Sequence, residues 1–432
     1  MKIAILGYDV EGKASYDYFA KGDHEITICD RNPDIEVPEG VDSVLGDGYL
    51  DNLDRFDLLV RTAGLQPRKI LEKNPNVADK ISSHINEFLR VSLTKNIIGV
   101  TGTKGKGTTS ALITNMLEAT GHTAHLGGNI GLPPLTFLNE LNESAWVVLE
   151  LSSFQLIDLQ SSPHIAVCVM VVPEHLDWHP DVDEYTQAKA QMFAHQTPQD
   201  IAVYFADNET SRQVASASPG QKIPYFAKPG AVVEHGAITI DGHEICKTKE
   251  LRLLGEHNWQ NVCAAITAVW QITQDVERIR FVLTNFTGLP HRLELVRELE
   301  GVRYYDDSFG TTPQTALVAL QAFDEPIIAI LGGRSKGIPF DELGKAAAQI
   351  KNLKHVIAIG ETGPEIAAAL RANGFDKITV GADNIEEIVN QAHELASSGD
   401  IVLLSAASTS FDMFKNYKER GEKFTAAVQA LV

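Results

Sequence analysis

Cysteine is scarce in this sequence, and its spacing carries no metal or redox motif. The 432 residues include four cysteines, Cys29, Cys168, Cys246 and Cys263, and no two of them form a Cys-x-x-Cys pair. A zinc ribbon and a dithiol redox site both need such pairs, so their absence excludes these two classes. Isolated thiols of this kind are typical of a protein from a reducing compartment.

Positive charge is also in deficit. Lysine and arginine number 37 against 57 aspartates and glutamates, which gives a formal net charge of -20. An acidic surface repels nucleic acid and anionic lipid, so we expect neither nucleic acid nor a membrane as a partner. Any site for an anionic nucleotide must therefore be locally basic.

Long apolar runs are missing as well. No stretch of the sequence reaches the roughly 18 apolar residues that a membrane-crossing helix needs. The first residues, MKIAILGYDVEG, lack the longer apolar stretch and the small-residue cleavage site of a secretory signal. We therefore expect a cytoplasmic protein, and we expect it to be a monomer.

Short β-branched apolar runs alternate with helical patterns over almost the whole chain. Uninterrupted apolar strands between helices are typical of parallel sheets covered on both faces, so the pattern predicts an α/β fold. The predicted strands are Lys2–Leu6, Ile26–Cys29, Leu58–Val60, Ile97–Val100, Val147–Leu149, Ala166–Val171, Ile327–Leu331, Val356–Ile359 and Ile401–Leu404.

The strands fall into three groups along the chain. We predict three domains, with boundaries at residues 1–90, 91–287 and 288–432. Residues 217–254 have poor periodicity and several glycines. Such composition favours turns, so we predict hairpins and loops there, attached to the second domain.

A glycine-rich loop is the strongest single motif. Residues 99–109 read GVTGTKGKGTT, and an amphipathic helix is predicted at Ser110–Ala119. Glycines let backbone N–H groups approach phosphate oxygens, and a helix N-terminus adds partial positive charge. The pattern predicts an ATP site in which Lys106 reaches the β- and γ-phosphates and Thr108 binds Mg²⁺. The other predicted ATP contacts of the loop are Gly102, Thr103, Gly105, Gly107 and Thr109.

Acidic and basic side chains follow two later strands. Glu150 ends an apolar strand and is a candidate Mg²⁺ ligand with Ser152 or Ser153 as helper, or instead a cap of the next helix. His175 follows the next strand, and Lys189 lies in the helical stretch Tyr185–Phe193. His175 could bind a second Mg²⁺ and Lys189 could contact phosphate, although either residue alone is as often an ordinary surface or core residue.

Together these segments resemble the Mur ligase family, most closely its glutamate-adding member. The resemblance covers nearly the whole chain and is strongest from Asn96 onward. The segments that carry it are TGTKGKGTT, GGNIGLP at 127–133, LELSSFQL at 149–156, PEHLDWHP at 173–180, YTQAK at 185–189, GEHNWQNVCAA at 255–265, GLPHRLE at 288–294, DDSFGTTP at 306–313, LGGRSKG at 331–337 and LSAASTSFDMFKNYKERGEKF at 404–424.

The resemblance implies a role for each matching residue. The implied catalytic residues are Lys106, His175, Lys189 and Arg292. The implied metal ligands are Thr108, Glu150, His175 and Lys189, the last as a carbamate, which turns the cation into an anion. The implied ATP contacts outside the phosphate loop are Asn258, Asn261, Arg292 and Asp307. The implied substrate contacts are Asp30, Arg31, Thr62, Gly64, Asn129, Ser152, Thr311, Lys336, Ser410 and Tyr417.

The resemblance also implies a fold and a reaction. An N-terminal Rossmann-like domain would bind the UDP part of the substrate, a central P-loop ATPase-type domain would bind ATP and Mg²⁺, and a C-terminal Rossmann-like domain would bind glutamate. The implied reaction joins glutamate, expected as D-glutamate, to UDP-N-acetylmuramoyl-L-alanine in peptidoglycan precursor synthesis. A free carboxylate is a poor acyl donor, so ATP first converts it to an acyl phosphate.

Some features leave alternatives open. Phe309 stands where the glutamate-adding enzymes usually carry a lysine, so L-glutamate is an alternative substrate and Arg334 a replacement cation. The G-x-x-x-x-G turn at residues 7–12 is weak evidence for a dinucleotide, and Glu11 within it is unexpected near a diphosphate. A folylpolyglutamate-type ligase would lack the N-terminal UDP-binding domain. A P-loop ATPase without ligase activity would leave Lys189 and Arg292 without a role.

Overall fold

The computed structural model describes residues 1–253, 255–335 and 337–432. The chain divides into two compact units, the first formed by Met1–Leu251 with Glu256–Phe286 and the second by Arg252–Gly255 with Thr287–Val432. Among the described residues, no helix combines the length and apolar character needed to cross a membrane. Parallel sheets dominate both units, so the predicted α/β fold is confirmed.

Residues 1–91 of the first unit form a sheet and its helices. The elements are β1 (Lys2–Leu6), α1 (Val10–Phe19), β2 (Glu25–Asp30), β3 (Asp42–Leu45), β4 (Leu58–Arg61), α2 (Pro67–Lys73), β5 (Ile81–Ser83) and α3 (His84–Val91), with 3₁₀ turns at Leu53–Arg55 and Ala78–Lys80. The five strands are parallel in the order β3-β2-β1-β4-β5. The central strand β1 is buried from Ile3 to Leu6, which explains why its sequence is apolar without alternation.

The second sheet of this unit is larger. Its elements are β6 (Ile97–Thr101), α4 (Lys106–Ala119), β7 (Ala124–Gly128), a 3₁₀ helix (Pro134–Glu140), β8 (Trp146–Glu150), α5 (Ser153–Leu156), β9 (Ile165–Cys168), α6 (Val182–Ala194), β10 (Ile201–Phe205), α7 (Glu209–Ala215) and β11 (Gln221–Tyr225). The six strands are parallel in the order β11-β10-β9-β6-β8-β7. Because β9, β6 and β8 are neighbours, the loops at their carboxyl ends meet at one edge of the sheet.

Residues 217–254 only partly match the prediction of hairpins and loops. The prediction is wrong for β11, which is the sixth strand of the parallel sheet. Its sequence QKIPY begins with two exposed polar residues and contains Pro224, which an edge strand tolerates but which hides the strand pattern. The prediction is right for β12 (Val232–Glu234), β13 (Ala237–Ile240) and β14 (His243–Lys247), which form a small antiparallel sheet. A 3₁₀ turn (Thr248–Glu250), α8 (His257–Val269) and α9 (Val276–Asn285) complete the unit.

The second unit is built on one sheet of six strands. Its elements are β15 (Glu294–Leu299), β16 (Val302–Asp306), α10 (Pro313–Leu320), β17 (Ile327–Gly332), α11 (Asp341–Ala347), β18 (Leu353–Ile359), α12 (Gly363–Ala372), β19 (Ile378–Val380), α13 (Ile385–Leu395), β20 (Ile401–Leu404) and α14 (Tyr417–Ala430). The strand order is β15-β16-β20-β17-β18-β19, with β15 antiparallel and the others parallel. Separate apolar cores cover the two faces of the sheet.

Candidate functional site

The glycine-rich loop connects β6 to α4, as predicted, although α4 begins at Lys106 rather than at Ser110. Gly102 and Gly105 both have positive φ, 148° and 94°, so a side chain would strain either position. A Cβ atom on Gly105 would lie 2.1 Å from Oδ1 of Asn261. The loop therefore packs directly against the side chain of Asn261, which explains the need for glycine there.

Helix α4 brings the predicted phosphate and metal contacts together at its first turn. Lys106 is half-buried, and its Nζ donates a hydrogen bond to the carbonyl of Thr103 at 3.1 Å. Thr108 is 8% exposed. Among the described residues, the buried hydroxyls of Thr109 and Ser110 have no hydrogen-bond partner. The predicted ligands Lys106, Thr108 and Thr109 thus lie on one helix end, where partial positive charge favours an anion.

The two predicted adenosine contacts lie next to each other on α8. Asn261 Nδ2 donates a hydrogen bond to Oδ1 of Asn258 at 2.9 Å, and both side chains are nearly buried. Through Gly105, Asn261 also touches the phosphate loop. Helix α8 therefore supports the phosphate loop, although the two lie about 150 residues apart in the sequence. Only folding brings them into contact.

Glu150 is the last residue of β8, and its side chain is 3% exposed. Asn129 Nδ2 donates a hydrogen bond to Oε1 of Glu150 at 2.8 Å, and the Asn129 N–H donates to the Glu150 carbonyl. A predicted substrate contact is thus paired with a predicted metal ligand. The alternative role of Glu150 as a helix cap does not apply to α5, because Ser152 is the N-cap of that helix.

The strand predicted at Ala166–Val171 is Ile165–Cys168 in the structure, and the residues after it contact the phosphate loop. The Thr103 N–H donates to the Met170 carbonyl at 2.7 Å. The Thr103 hydroxyl donates to the carbonyl of Val172 at 2.8 Å, so the hydroxyl of Tyr185 must donate to Thr103 across 2.7 Å. No motif in the sequence indicated this contact of Tyr185, which joins the phosphate loop to α6.

His175 lies in that next loop beside an acidic neighbour. Its ring Nε2 is 3.6 Å from a carboxylate oxygen of Glu174, and Lys104 donates to the other oxygen at 2.8 Å. Burial lowers the pKa of the His175 imidazole, while Glu174 opposes this effect and Lys106 adds to it. Burial alone raises the pKa of the Glu174 carboxyl, but the hydrogen bond and charge of Lys104 bring that pKa below its usual range. The lowered pKa favours the uncharged imidazole of His175 at neutral pH.

Lys189 on α6 is a fully buried lysine. Its Nζ donates a hydrogen bond to the Gly102 carbonyl at 2.8 Å and lies 4.4 Å from the centre of the Tyr185 ring. Burial, with the nearby charge of Lys106, lowers the pKa of Lys189 to about 7. A large fraction of this amine is therefore uncharged at neutral pH, which is the nucleophilic form.

The loops of the first sheet hold the predicted substrate contacts Asp30, Thr62 and Gly64. The Asp30 carboxylate accepts the N–H groups of Tyr8 and Asn32, at 2.7 and 2.8 Å. The Gly64 carbonyl accepts a hydrogen bond from the Trp178 indole at 3.2 Å. Arg31, predicted with them, is exposed.

The two sheets of the first unit are fastened by a buried ion pair that the sequence analysis did not identify. Arg61 ends β4 and makes two hydrogen bonds to the carboxylate of Asp158, at 2.6 and 2.5 Å. It also donates to the carbonyl of Phe154. No local pattern could have revealed the pair, because the partners lie 97 residues apart.

In the second unit, Arg292 lies just before β15 and Asp307 directly follows β16. The Arg292 guanidinium lies 3.9 Å from the centre of the Phe309 ring, close enough for a cation–π contact. Burial raises the pKa of the Asp307 carboxyl to about 7, although the Ser405 hydroxyl donates to it at 2.7 Å and Arg292 opposes the shift. Phe309, the residue that departs from the family pattern, therefore supports the predicted ATP-binding arginine.

A second arginine of this unit was missed by the sequence analysis. Arg420 on α14 is 1% exposed and donates to the hydroxyl and carbonyl of Ser308 and to the carbonyl of Ser408. The Ser308 hydroxyl in turn donates to the carbonyl of Tyr417, a predicted glutamate contact, at 2.7 Å. Ser410 is buried close by in the chain.

The remaining glutamate candidates are less closely defined. Thr311 is half-buried just before α10. Lys336 lies outside the described residues. Arg334, the suggested replacement cation, pairs through its backbone with Thr409, and its exposed guanidinium lies 4.0 Å from the carboxylate of Glu361.

Relatives with curated names match the chain over its whole length. The UDP-N-acetylmuramoylalanine–D-glutamate ligase of Acetivibrio thermocellus is 37% identical, with 100% of this chain and 96% of the relative covered. The chain belongs to the Mur ligase family. The Mur ligase of Clostridium tetani with the same name is 35% identical, with 100% and 97% covered. Family models agree: the Mur ligase middle domain matches residues 100–269, and the Mur ligase glutamate ligase domain matches residues 291–408.

Solved Mur ligase structures share the fold at low sequence identity. The UDP-N-acetylmuramate–alanine ligase MurC of Thermotoga maritima has a TM-score of 0.63 at 18% identity, covering 100% of this chain and 99% of that one. MurF of the same organism, in complex with ADP, has a TM-score of 0.60 at 20% identity, covering 99% and 95%. The full-length relatives and the family models confirm the predicted membership of the Mur ligases, and the chain is a ligase of this family.

Proposed function

We propose that this chain joins D-glutamate to UDP-N-acetylmuramoyl-L-alanine with ATP, as the names of its full-length relatives describe for them. The observation that carries the proposal is the edge of the second sheet. The phosphate loop with Lys106 follows β6, and the carboxylate of Glu150 ends the neighbouring strand β8. The buried amine of Lys189 bonds to the carbonyl of Gly102 in the same loop. Cations beside a metal-binding carboxylate are what phosphoryl transfer requires.

The proposed chemistry begins at the carboxylate of the muramoyl-alanine substrate. One of its oxygens forms a bond to the γ-phosphorus of ATP as the bond to the β–γ bridging oxygen breaks, which gives an acyl phosphate and ADP. The glutamate amine then attacks the acyl carbon, and phosphate leaves. When it is not bound to a metal, neutral His175 is suited to take the proton that the amine loses.

Mg²⁺ fits the donor groups of this edge. Glu150 offers a carboxylate oxygen and Thr108 a hydroxyl, which are the hard oxygen donors that suit Mg²⁺, and His175 would add an imidazole nitrogen. When bound, Mg²⁺ would neutralise charge on the phosphoryl oxygens. Lys106 would hold those oxygens from the start of α4, and the unpartnered Thr109 hydroxyl is a further donor for them.

Lys189 is proposed to carry a carbamate. Its amine is partly neutral at pH 7 because the pKa is about 7, so nitrogen can form a bond to the carbon of CO₂ and release a proton. The product is an anion placed near Lys106, which relieves the repulsion between two cations. Such an anion can also ligate the metal.

The three-domain description belongs to this proposal. The N-terminal Rossmann-like domain would bind UDP near Asp30, Arg31, Thr62 and Gly64, and the central domain would bind ATP, with Asn258 and Asn261 on its adenosine side. The C-terminal domain would bind glutamate through Thr311, Lys336, Ser410 and Tyr417, and would contribute Arg292 and Asp307 to ATP. The cytoplasm is the proposed site of action, since ATP is available there.

L-glutamate remains a second candidate substrate because of Phe309. A ring lies under Arg292 at the position where a lysine was expected, so one charge available to a glutamate carboxylate is missing. The glutamate-dependent release of phosphate in the presence of UDP-N-acetylmuramoyl-L-alanine, measured with D- and with L-glutamate, separates the two. Release with D-glutamate supports the proposal. ATP turnover that is independent of both co-substrates would overturn it.

A further inference from the structure

The carboxylate of Glu11, unexpected beside a diphosphate, is fully engaged by the protein itself. Glu11 lies in the first turn of α1, where the helix N-terminus favours an anion. One carboxylate oxygen accepts the N–H of Ala63 at 2.9 Å, and the other accepts Nε2 of Gln155 at 2.6 Å. The second bond joins the first turn of α1 to α5, across 144 residues of sequence.

Gln155 is held at both ends of its amide. Its Oε1 accepts the N–H and the hydroxyl of Ser152, at 3.0 and 3.1 Å, while its Nε2 donates to Glu11. A carboxylate can only accept and a backbone N–H can only donate, so one orientation of the amide satisfies both partners. Gln155 is only 3% exposed, so an amide group that lost one of these partners could not form a replacement hydrogen bond with water.

The turn that Gln155 holds is next to the proposed reaction site. Ser152 follows Glu150 by two residues, and Glu150 is itself held by Asn129 at 2.8 Å. At the other end of this series of hydrogen bonds, Glu11 accepts the N–H of Ala63, which lies between the proposed UDP contacts Thr62 and Gly64. The hydrogen bonds thus run from the proposed UDP-binding loops to the turn beside the proposed metal ligand.

We propose that Glu11 and Gln155 form a positioning pair, which holds the Ser152 turn at a fixed place relative to the loops that bind the UDP-sugar. This inference rests on the proposed function. The two residues do not touch the reacting atoms. They fix the distance between the two parts of the site that a single UDP-muramoyl substrate has to span, so their loss weakens binding of that substrate more than binding of ATP.

The exchange of the two side chains is the test. In the double variant Glu11→Gln/Gln155→Glu, the amide now at position 11 accepts from Ala63 and donates to the carboxylate now at position 155. That carboxylate still accepts from Ser152, so every hydrogen bond is retained. Glu11→Gln alone leaves the new NH₂ group facing a donor in either orientation, the NH₂ of Gln155 or the N–H of Ala63, and Gln155→Glu alone places two carboxylates together.

The expected results follow from the loss and return of these bonds. Each single variant should raise the KM for UDP-N-acetylmuramoyl-L-alanine about tenfold, since a buried group loses its partner. The KM for ATP should change less than about twofold, and the double variant should return close to wild type.

Exposed positions supply matched controls for the same chemical changes. Glu39→Gln and Gln213→Glu are on the surface of the same unit and should leave both KM values unchanged. Thermal unfolding of all variants shows whether the exchange also restores stability. A double variant no better than the worse single one, or single variants with wild-type KM values in an active enzyme, would overturn the inference. A wild-type chain without glutamate-dependent turnover would instead overturn the proposed function, and the inference with it.

Discussion

The two units hold their cations in different ways. In the first unit the site carries two lysines, Lys106 and Lys189, and the nearby charge of Lys106 helps to lower the pKa of Lys189 to about 7. In the second unit the corresponding cations are arginines. Arg292 is stacked on Phe309, and burial lowers the pKa of Arg420 only to about 10, so it stays charged at neutral pH.

The difference follows from what each cation can do. A buried lysine can give up its proton and become a reactive amine, whereas a guanidinium keeps its charge and uses it in directed hydrogen bonds. Lys189 donates a hydrogen bond to the Gly102 carbonyl, while Arg420 makes three to Ser308 and Ser408. The first unit thus has a site with a lysine that can change its protonation state. In the second unit, a permanently charged arginine holds the backbone around the candidate site through hydrogen bonds.

The largest effect is expected at the less buried member of the lysine pair. Lys106→Ala should reduce glutamate-dependent phosphate release by about a thousandfold or more, because a cation aimed at transferring phosphoryl oxygens is lost. The far-ultraviolet circular dichroism spectrum and the melting temperature should stay close to wild type. Lys104→Ala, a substitution in the same loop at an exposed lysine, is the matched comparison and should lose much less activity.

The buried arginine should matter for stability instead. Arg420→Lys keeps the charge but loses the planar fork, which leaves Ser308 and Ser408 with unmet hydrogen bonds. We expect the free energy of unfolding of the second unit to fall by about 2 kcal/mol, measured by denaturant titration. Lys418→Arg on the exposed face of α14 should change stability little. An Arg420→Lys chain as stable as wild type would contradict the structural role given to the guanidinium.

The buried lysine should show a pH-dependent cost to stability. Its pKa is about 7 in the folded chain and 10.5 in an ordinary lysine, so folding is penalised in full below pH 7. The penalty fades as pH rises from 7 towards 10.5, because the folded amine is neutral in this range and removing the proton from the unfolded lysine costs progressively less. In CO₂-free buffer, Lys189→Met should therefore stabilise the chain more at pH 6 than at pH 9, as measured by denaturant titration. An equal effect at pH 6 and pH 9 would show that the pKa of the Lys189 amine is not shifted.

The same residue gives a test of the carbamate. Lys189→Ala should lose turnover and recover part of it when short-chain carboxylic acids are added, since a carboxylate can occupy the place of the carbamate. Lys106→Ala under the same conditions is the control and should not recover. Complete indifference of activity to Lys189→Ala would remove the carbamate from the proposed mechanism.

The smallest effect is expected at Phe309. Phe309→Leu keeps an apolar side chain and removes the ring under Arg292, so the KM for ATP should rise by about threefold, the size of a partly exposed cation–π contact. Phe309→Tyr, which keeps the ring, should leave the KM for ATP unchanged. A rise in the KM for glutamate alone would place Phe309 with the amino-acid substrate instead.

Much of the fold and the phosphate-binding loop could be predicted from short stretches of the sequence. The phosphate loop, the alternation of strands and helices, and the segments shared with the Mur ligases are all encoded within a few neighbouring residues. Strand β11 was missed for a local reason too, since Pro224 and two polar residues mask an edge strand. The roles of the individual site residues and the three-domain boundaries stay predictions.

Only the folded chain decided which side chains are partners. Arg61 with Asp158, Tyr185 with Thr103, and Glu11 with Gln155 are separated by 97, 82 and 144 residues. Periodicity and motif spacing report on neighbours along the chain, whereas these contacts depend on strand order and on how two sheets pack. The amino-acid sequence by itself determined the class of fold and the kind of chemistry. Burial, set by the tertiary structure, determined that Lys189 is a near-neutral amine, and contacts between distant segments determined that Glu11 is bound by the protein's own donors.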